Sequence, residues 1–174
     1  MERNIRVIKD VDEHQIVMIN DIRFKGRQNI DWDEVEQYLK RYVGEFVEIA
    51  ESKDIIYICN DLPDEYAGSN YTAKLKGALA KAKANAAQGI PEIIKIATNK
   101  RFKENLAKKH DKNAKFGWYR YDSRFALPIF DDYGHILRYN LFHAELVIRY
   151  AEDKKLYLYD IINIKKETST PLEL

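Results

Sequence analysis

Three long segments near the C-terminal end constrain the fold of this chain more than any other feature. Residues 115–130, 135–151 and 155–166 are rich in aromatic and β-branched side chains, which favour β-strands. The polar connections between them, DDYG and AEDKK, are typical of β-hairpins. The sequence therefore predicts an antiparallel meander of three strands.

Shorter elements precede the meander. Residues 4–20 predict a hairpin around the turn DVDEH, and the triplet IRF after it is a candidate continuation. A helix is predicted to begin after Asp31, because Glu34 completes the spacing of a capping box, and to end before Gly44. Two short apolar runs follow in residues 45–60.

The stretch from residue 61 to about residue 109 is predicted to be a loop followed by helices. The loop is DLPDEYAGSN, and the alanine-rich segment after it predicts a helix that begins at Ser69 or Asn70. Gly89 and Pro91 suit the end of this helix and the first turn of the next one.

This element order favours an α+β fold, with helices packed on one face of a mainly antiparallel sheet. The 174 residues, of which 45% are hydrophobic, fit a single domain over residues 1–167 with a tail at 168–174. No apolar run is long enough for a membrane span, and the charged start predicts no signal peptide. We therefore expect a cytoplasmic location.

The sequence carries no motif for a metal or a cofactor. Its single cysteine, Cys59, excludes a disulfide framework and a cysteine zinc cluster, and it is interpreted as a buried structural thiol. Glycine-rich phosphate loops and local nucleophile motifs are absent. We expect neither cofactor nor metal.

The formal net charge of +1 hides a strong asymmetry along the chain. The net charge is −7 over residues 1–70, +10 over residues 71–124 and −2 over residues 125–174. A basic block of this size attracts polyanions such as nucleic acids; the alternative is a solvated helix face. The lysines predicted to bind substrate are Lys74, Lys81, Lys83, Lys109, Lys112 and Lys115.

The segment KKHDKNAKFGWYRYDSRF, residues 108–125, combines cations with aromatic rings. In a strand, Trp118, Arg120 and Arg124 lie on one face, and the rings of Tyr119, Tyr121 and Phe125 lie on the other. One of these aromatic sets is expected to stack on bases, and the other to enter the core. His110 is a candidate general base; the alternative is an exposed histidine at a helix end.

The last two strands also have unlike faces. The even positions from Phe142 to Ile148 are apolar. Tyr139, His143, Glu145 and Arg149 share the odd face with Leu141 and Val147. Aligned pairing is expected to add polar side chains from the final strand, namely Tyr157, Tyr159, Asn163 and Lys165. The alternative interpretation is the wet face of an ordinary antiparallel sheet.

These side chains match the needs of RNA cleavage through the 2′-hydroxyl. That reaction requires a base, an acid, and cations or donors at the phosphate oxygens. The predicted catalytic set is His143, Glu145, Arg149, His110 and Tyr159, with Trp118, Arg120, Arg124 and Lys165 joining the lysines as substrate-binding residues.

Four longer motifs add a resemblance. They are INDIRFKGRQNIDWDEVEQYLKRYVGE, SNYTAKLKGALAKAKANA, KFGWYRYDSRFALPIFD and LYLYDIINIKKETSTPLE. Together these motifs resemble a domain of large polyvalent proteins of phages and integrative elements, over residues 16–173. Such domains look related to the phage-associated barnase, EndoU, colicin and RelE-like nuclease superfamily, in which helices precede a four-stranded antiparallel sheet. The resemblance implies a toxin-like RNase held in check by an inhibitor or immunity protein.

Three functional hypotheses follow. The first is a metal-independent endoribonuclease, and the second is a non-catalytic mobile-element protein that binds nucleic acid or inhibits a host defence complex. The second needs the basic surface without the acid–base groups. The third, an ADP-ribosyltransferase, requires an NAD pocket for which the sequence has no signature.

Overall fold

Eight strands form one mixed sheet in the computed structural model, which describes residues 3–26, 29–103 and 114–167. The strands are β1 Ile5–Lys9, β2 Gln15–Ile19, β3 Phe46–Glu48, β4 Ile55–Tyr57, β5 Thr98–Lys103, β6 Trp118–Phe130, β7 Ile136–Tyr150 and β8 Leu156–Lys166. Their order is β1-β2-β6-β7-β8-β4-β3, and β5 pairs with β6. The predicted tail at 168–174 lies outside the described residues.

The predicted hairpins are present. β1 pairs antiparallel with β2, and β6, β7 and β8 form the antiparallel meander. Two other pairings, β2 with β6 and β4 with β8, are parallel, which makes the sheet mixed. Together with the helices, this confirms the α+β class. The triplet IRF after β2 is not a strand.

Helices fill the chain between the hairpins. They are α1 Trp32–Leu39, α2 Leu62–Gly68, α3 Asn70–Lys74, α4 Gly77–Ala86 and α5 Ile90–Lys95, with 3₁₀ turns at Lys40–Tyr42 and Ala87–Gly89. The Asp31 carboxylate caps α1 as predicted, accepting hydrogen bonds from the backbone N–H groups of Asp33 and Glu34. None of the helices in the described part of the chain is long and apolar enough to span a membrane.

Three predictions in the middle of the chain were wrong. The predicted loop at 61–70 contains α2, in which Pro63 occupies the first turn and Leu62 and Tyr66 are buried. The predicted single helix is broken after Lys74, because Leu75 is extended and Gly77 has a φ of +59°. The residues of β5 were expected to be helical, and they form a strand by pairing with β6.

The main core brings helical side chains against alternate residues of the sheet. Tyr66 and Ala82 belong to the same buried cluster as Tyr121, Phe125 and Leu146. The intervening residues of β6 and β7 therefore point to the opposite face of these strands. That face carries two smaller apolar clusters, one with Ala126 and Leu141 and the other with Trp118 and Val147, and a group of charged residues between them.

One edge of β6 is shared by two strands. β7 covers the other edge over the full length of β6. On the shared edge, β5 pairs with residues from Trp118 to Asp122, and β2 pairs with Phe125 and Ala126. Among the described strands, none pairs with Ser123 or Arg124 on this edge. The resulting gap lies in the middle of the sheet, next to the charged residues.

Candidate active site

An open cleft of about 540 Å³ lies at the gap beside β6. The β1–β2 turn contributes to it from one side, and the segment that joins α5 to β5 contributes from the other. We call it the histidine cleft, because two histidines line it. Its charged and titratable lining residues are Glu13, His14, Glu51, Lys95, Asp122, Arg124 and His143.

A carboxylate–arginine network borders the histidine cleft. Asp122 and Glu145 are partners on β6 and β7, and Nη2 of Arg101 lies 3.1 Å from Asp122 Oδ1 and 3.0 Å from Glu145 Oε1. Asn99 donates to the second oxygen of Asp122, and Asn163 donates to the second oxygen of Glu145. All four carboxylate oxygens therefore have a donor or cation within reach, which fixes the orientation of both acids.

His143 lies at the edge of this network. Its side chain is 38% exposed, and its Nε2 is 3.8 Å from Asp122 Oδ1. Its partners on the neighbouring strands are Arg124 and Lys165. The structure thus places His143, Glu145, Asn163 and Lys165 on one face, as the alternation predicted. An imidazole that solvent can reach is chemically able to serve as a general acid or base.

Arg124 is occupied by two carboxylates. Its Nε and Nη2 donate to Glu167 at 2.9 and 2.8 Å, and its Nη1 donates to Asp10 at 2.8 Å. The hydrogen bonds from Arg124 to Glu167 and Asp10, opposed by burial, raise the pKa of the guanidinium further. Arg124 therefore ties the β1–β2 turn and the end of β8 to β6. Contact with a substrate phosphate would require exchange of one of these partners.

His14 was missed by the sequence analysis. It ends the β1–β2 turn, its side chain is exposed, and its backbone N–H donates to Asp10. The turn DVDEH was predicted, but only the parallel pairing of β2 with β6 brings it to the middle of the sheet. The structure thereby brings His14 into the same cleft as His143. His110 lies outside the described residues.

Arg149 and Tyr159 do not join the histidine cleft. Arg149 is six positions beyond His143 on β7, which corresponds to about 20 Å along a strand. Its Nε donates to Asp61 at 3.0 Å, and its guanidinium lies 4.1 Å from the centre of the Tyr157 ring. Tyr159 packs against Trp118, and burial together with Glu65 raises the pKa of its hydroxyl. The structure therefore does not bring Arg149 and Tyr159 together with His143 and Glu145 in one cleft.

Lys83 was predicted to lie on a basic surface, and it is fully buried. Its Nζ lies 2.6 Å from both Asp160 Oδ1 and the Thr72 hydroxyl. The rings of Tyr66 and Tyr71 lie within 5.1 Å of the same ammonium. Lys83 is buried because α4 is covered by protein on several sides, and its consecutive residues 82–86 are all buried.

The other predicted substrate-binding lysines that the structure describes, Lys74, Lys81 and Lys115, do not line the histidine cleft. Lys74 and Lys81 belong to α3 and α4, which pack on the main-core side of the sheet, opposite the charged row. Lys115 is exposed, with its Nζ 3.7 Å from Glu152. Lys109 and Lys112 lie outside the described residues. The basic helix is therefore not a flank of this cleft.

Two further predicted binding residues are mostly enclosed. Trp118 is 9% exposed and packs with Val147 and Tyr159, so its ring is not available to stack on a base. Nη1 of Arg120 is buried and has no hydrogen-bond partner among the described residues. Arg120 nevertheless lies on the face of β6 that carries Asp122, and it contributes positive charge there.

Comparisons with models of known protein families, with curated proteins and with solved structures find no match to this chain. The interpretation therefore rests on the geometry of the site. In the part of the chain that the structure describes, no group of three or more His, Cys, Asp or Glu side chains is arranged to hold a metal ion.

Proposed function

We propose that this protein is a metal-independent endoribonuclease that cleaves RNA by attack of a 2′-hydroxyl on the adjacent phosphate. The observation that carries the proposal is the presence of two accessible histidines, His14 and His143, in one open cleft with carboxylates and cations. A pair of imidazoles supplies a general base and a general acid near neutral pH.

His143 is proposed as the base, because Asp122 stabilises the imidazolium that forms when the ring accepts a proton. The 2′-oxygen then attacks phosphorus, and the bond from phosphorus to the 5′-oxygen breaks. His14 donates the proton that the leaving 5′-oxygen requires. The products are a 2′,3′-cyclic phosphate and a 5′-hydroxyl. Lys95, which lines the cleft, is proposed to stabilise the negative charge on the phosphate oxygens.

We further propose that the fold is a variant of the barnase, EndoU, colicin and RelE-like superfamily. The support is the element order, since the helices precede the β6–β8 meander. Under this proposal the protein acts on RNA in a bacterial cytoplasm as a phage or mobile-element toxin, and an inhibitor or immunity protein controls it.

A second candidate function is non-catalytic binding of nucleic acid or inhibition of a host defence complex. One observation favours it: the exposed Lys74 and Lys76 lie on the side of the sheet away from the histidine cleft. A partner bound there would need no acid–base group.

Incubation of the purified protein with total RNA in EDTA tests the proposal. We expect cleavage, with 2′,3′-cyclic phosphate ends on the products. Activity that appears only with added magnesium or manganese would refute the mechanism. Intact RNA at micromolar protein would refute the ribonuclease and favour the second candidate.

A further inference from the structure

A second cleft, of about 370 Å³, is lined by more cations and fewer acids than the histidine cleft. It lies where the β3–β4 turn and the β7–β8 turn meet the start of β6. Among its lining residues are four lysines, three tyrosines and one acid. We call it the lysine–tyrosine cleft, and these residues are Lys53, Lys100, Lys154, Lys155, Tyr57, Tyr119, Tyr150 and Asp54.

The single acid of this cleft is already neutralised. Asp54 Oδ2 lies 2.9 Å from the Lys100 ammonium and accepts a hydrogen bond from the Tyr121 hydroxyl at 2.6 Å. Burial opposes ionisation, but these hydrogen bonds hold the pKa of Asp54 below its usual value. Within the described residues the other three lysines form no ion pair. The cleft therefore presents unbalanced positive charge to solvent.

Aromatic rings lie directly beneath two of the ammonium groups. The Lys100 Nζ is 4.5 Å from the centre of the Tyr119 ring, and the Lys155 Nζ is 4.9 Å from that of Tyr57. Both contacts are within the range of cation–π attraction. Rings and ammonium groups are thus held together at one opening, which suits a ligand that combines an anion with a flat ring.

The two turns present their lysines in an uncommon conformation. Lys53 has a φ of +66° and Lys154 has a φ of +65°, which residues other than glycine rarely adopt. Each lysine lies in a turn between two strands, and the two turns come from distant parts of the chain. Their convergence on one cleft makes both ammonium groups available to the same ligand.

We propose that the lysine–tyrosine cleft binds a phosphate-and-base unit of single-stranded RNA, with the ammonium groups at phosphates and tyrosine rings available to bases. Unstacked bases of single strands are free to meet aromatic side chains, whereas paired bases are not. The identification of the ligand as a substrate strand rests on the proposed ribonuclease function.

The two clefts adjoin. Thr98 lines the histidine cleft and Lys100 lines the lysine–tyrosine cleft, and two residues of extended chain span at most about 7 Å. Glu51 and Lys53, two positions apart in the β3–β4 turn, likewise line the first and the second cleft. A strand held by the lysines is therefore positioned to place a neighbouring phosphate beside His14 and His143.

The test compares binding of a labelled 12-nucleotide single-stranded RNA by fluorescence anisotropy in EDTA. The variant is Lys53→Asn with Lys154→Asn, because asparagine tolerates positive φ and removes the charge. The matched control is Lys25→Asn with Lys40→Asn, two exposed lysines that line neither cleft. All proteins also carry His14→Ala and His143→Ala, so that the RNA stays intact.

We expect the variant to bind at least about tenfold more weakly at low salt. The slope of the logarithm of its binding constant against the logarithm of the salt concentration should be shallower by about 1.4, or about 0.7 for each lost phosphate contact. The control should bind like its parent. Equal affinity of variant and control would overturn the inference. So would displacement of the labelled RNA by uridine monophosphate or by duplex RNA at the same concentration as unlabelled single-stranded RNA.

The outcome separates this inference from the ribonuclease proposal. If RNA binding depends on Lys53 and Lys154 but the protein with both histidines intact does not cleave RNA, the RNA-binding cleft is supported and the proposed catalysis is refuted. RNA cleavage by a protein whose Lys53 and Lys154 variants bind normally would support the catalysis and refute the cleft.

Discussion

The two faces of β6, β7 and β8 carry ion pairs of very different kinds. On the main-core side, Lys83 and Asp160 form a pair whose side chains are 0% and 5% exposed. On the other side, the pairs made by Arg101 and Arg124 involve side chains that are between 16% and 31% exposed. Burial, rather than charge, therefore separates a structural ion pair from one that a ligand can reach.

The buried pair is supported by neighbours on every side. Thr72 accepts a hydrogen bond from Lys83, and the backbone N–H of Ile161 donates to Asp160 at 2.8 Å. Burial lowers the pKa of Lys83 and raises the pKa of Asp160, and their mutual attraction opposes both shifts. Each charge is therefore tolerated only because the other one is present.

The largest expected effect breaks this pair. Lys83→Met should lower the free energy of unfolding by about 3–5 kcal/mol, because it leaves the Asp160 carboxylate buried without its cation. The double variant Lys83→Met with Asp160→Leu should recover most of this loss. Urea denaturation measures both changes. A loss below about 1 kcal/mol in the single variant would show that the Asp160 carboxylate does not depend on Lys83.

The next effect concerns the accessible face. His143→Ala should reduce the rate of RNA cleavage at least about a hundredfold, which is the usual contribution of a general base. The melting temperature should not change, because the ring is partly exposed. The control is His135→Ala, whose side chain is 81% exposed in the β6–β7 turn. Near-normal cleavage by His143→Ala would remove this residue from the mechanism.

The smallest effect concerns the partly buried pair of Asp10 and Arg124. The hydrogen bond from Arg124 lowers the pKa of Asp10, so this contribution to stability is present above the unfolded-state pKa, near 3.9, and is lost as pH falls through the folded-state value. Asp10→Asn should cost about 1 kcal/mol at pH 7, and the difference from wild type should shrink below pH ~4.

Asp131→Asn provides the matched control for this prediction. Asp10 and Asp131 each accept hydrogen bonds from the backbone N–H groups two and four positions later, so both turns keep an acceptor in the variant. Asp131 has His135 rather than an arginine as its ionic neighbour. A pH-independent cost for Asp10→Asn, measured by urea unfolding at each pH, would contradict the assignment.

Local patterns sufficed to predict the hairpins, the Asp31 cap and the division of the meander into two faces. They failed where a contact between distant segments decides the outcome. Lys83 looks like a surface lysine within an alanine-rich helix, and only its contact with Asp160 shows why it is buried. β5 has little alternation of its own, and it forms because β6 offers an edge.

The candidate site was predictable in part for the same reason. His143, Glu145 and Lys165 follow from strand alternation and antiparallel pairing, which are local rules. His14 and Arg101 reach the site through the pairing of β2 and β5 with β6, and no local pattern encodes these partners. The lysine-rich helical segment does not flank the site, because α3 and α4 pack on the far side of the sheet.

The gap beside β6 also has a consequence for the order in which the molecule is built. One of its walls, β2, is made long before Phe125 and Ala126, the residues with which it pairs. Pairings between such distant segments form slowly, because a long loop must close first. A nascent chain on the ribosome therefore cannot assemble the histidine cleft until β6 and β7 have emerged.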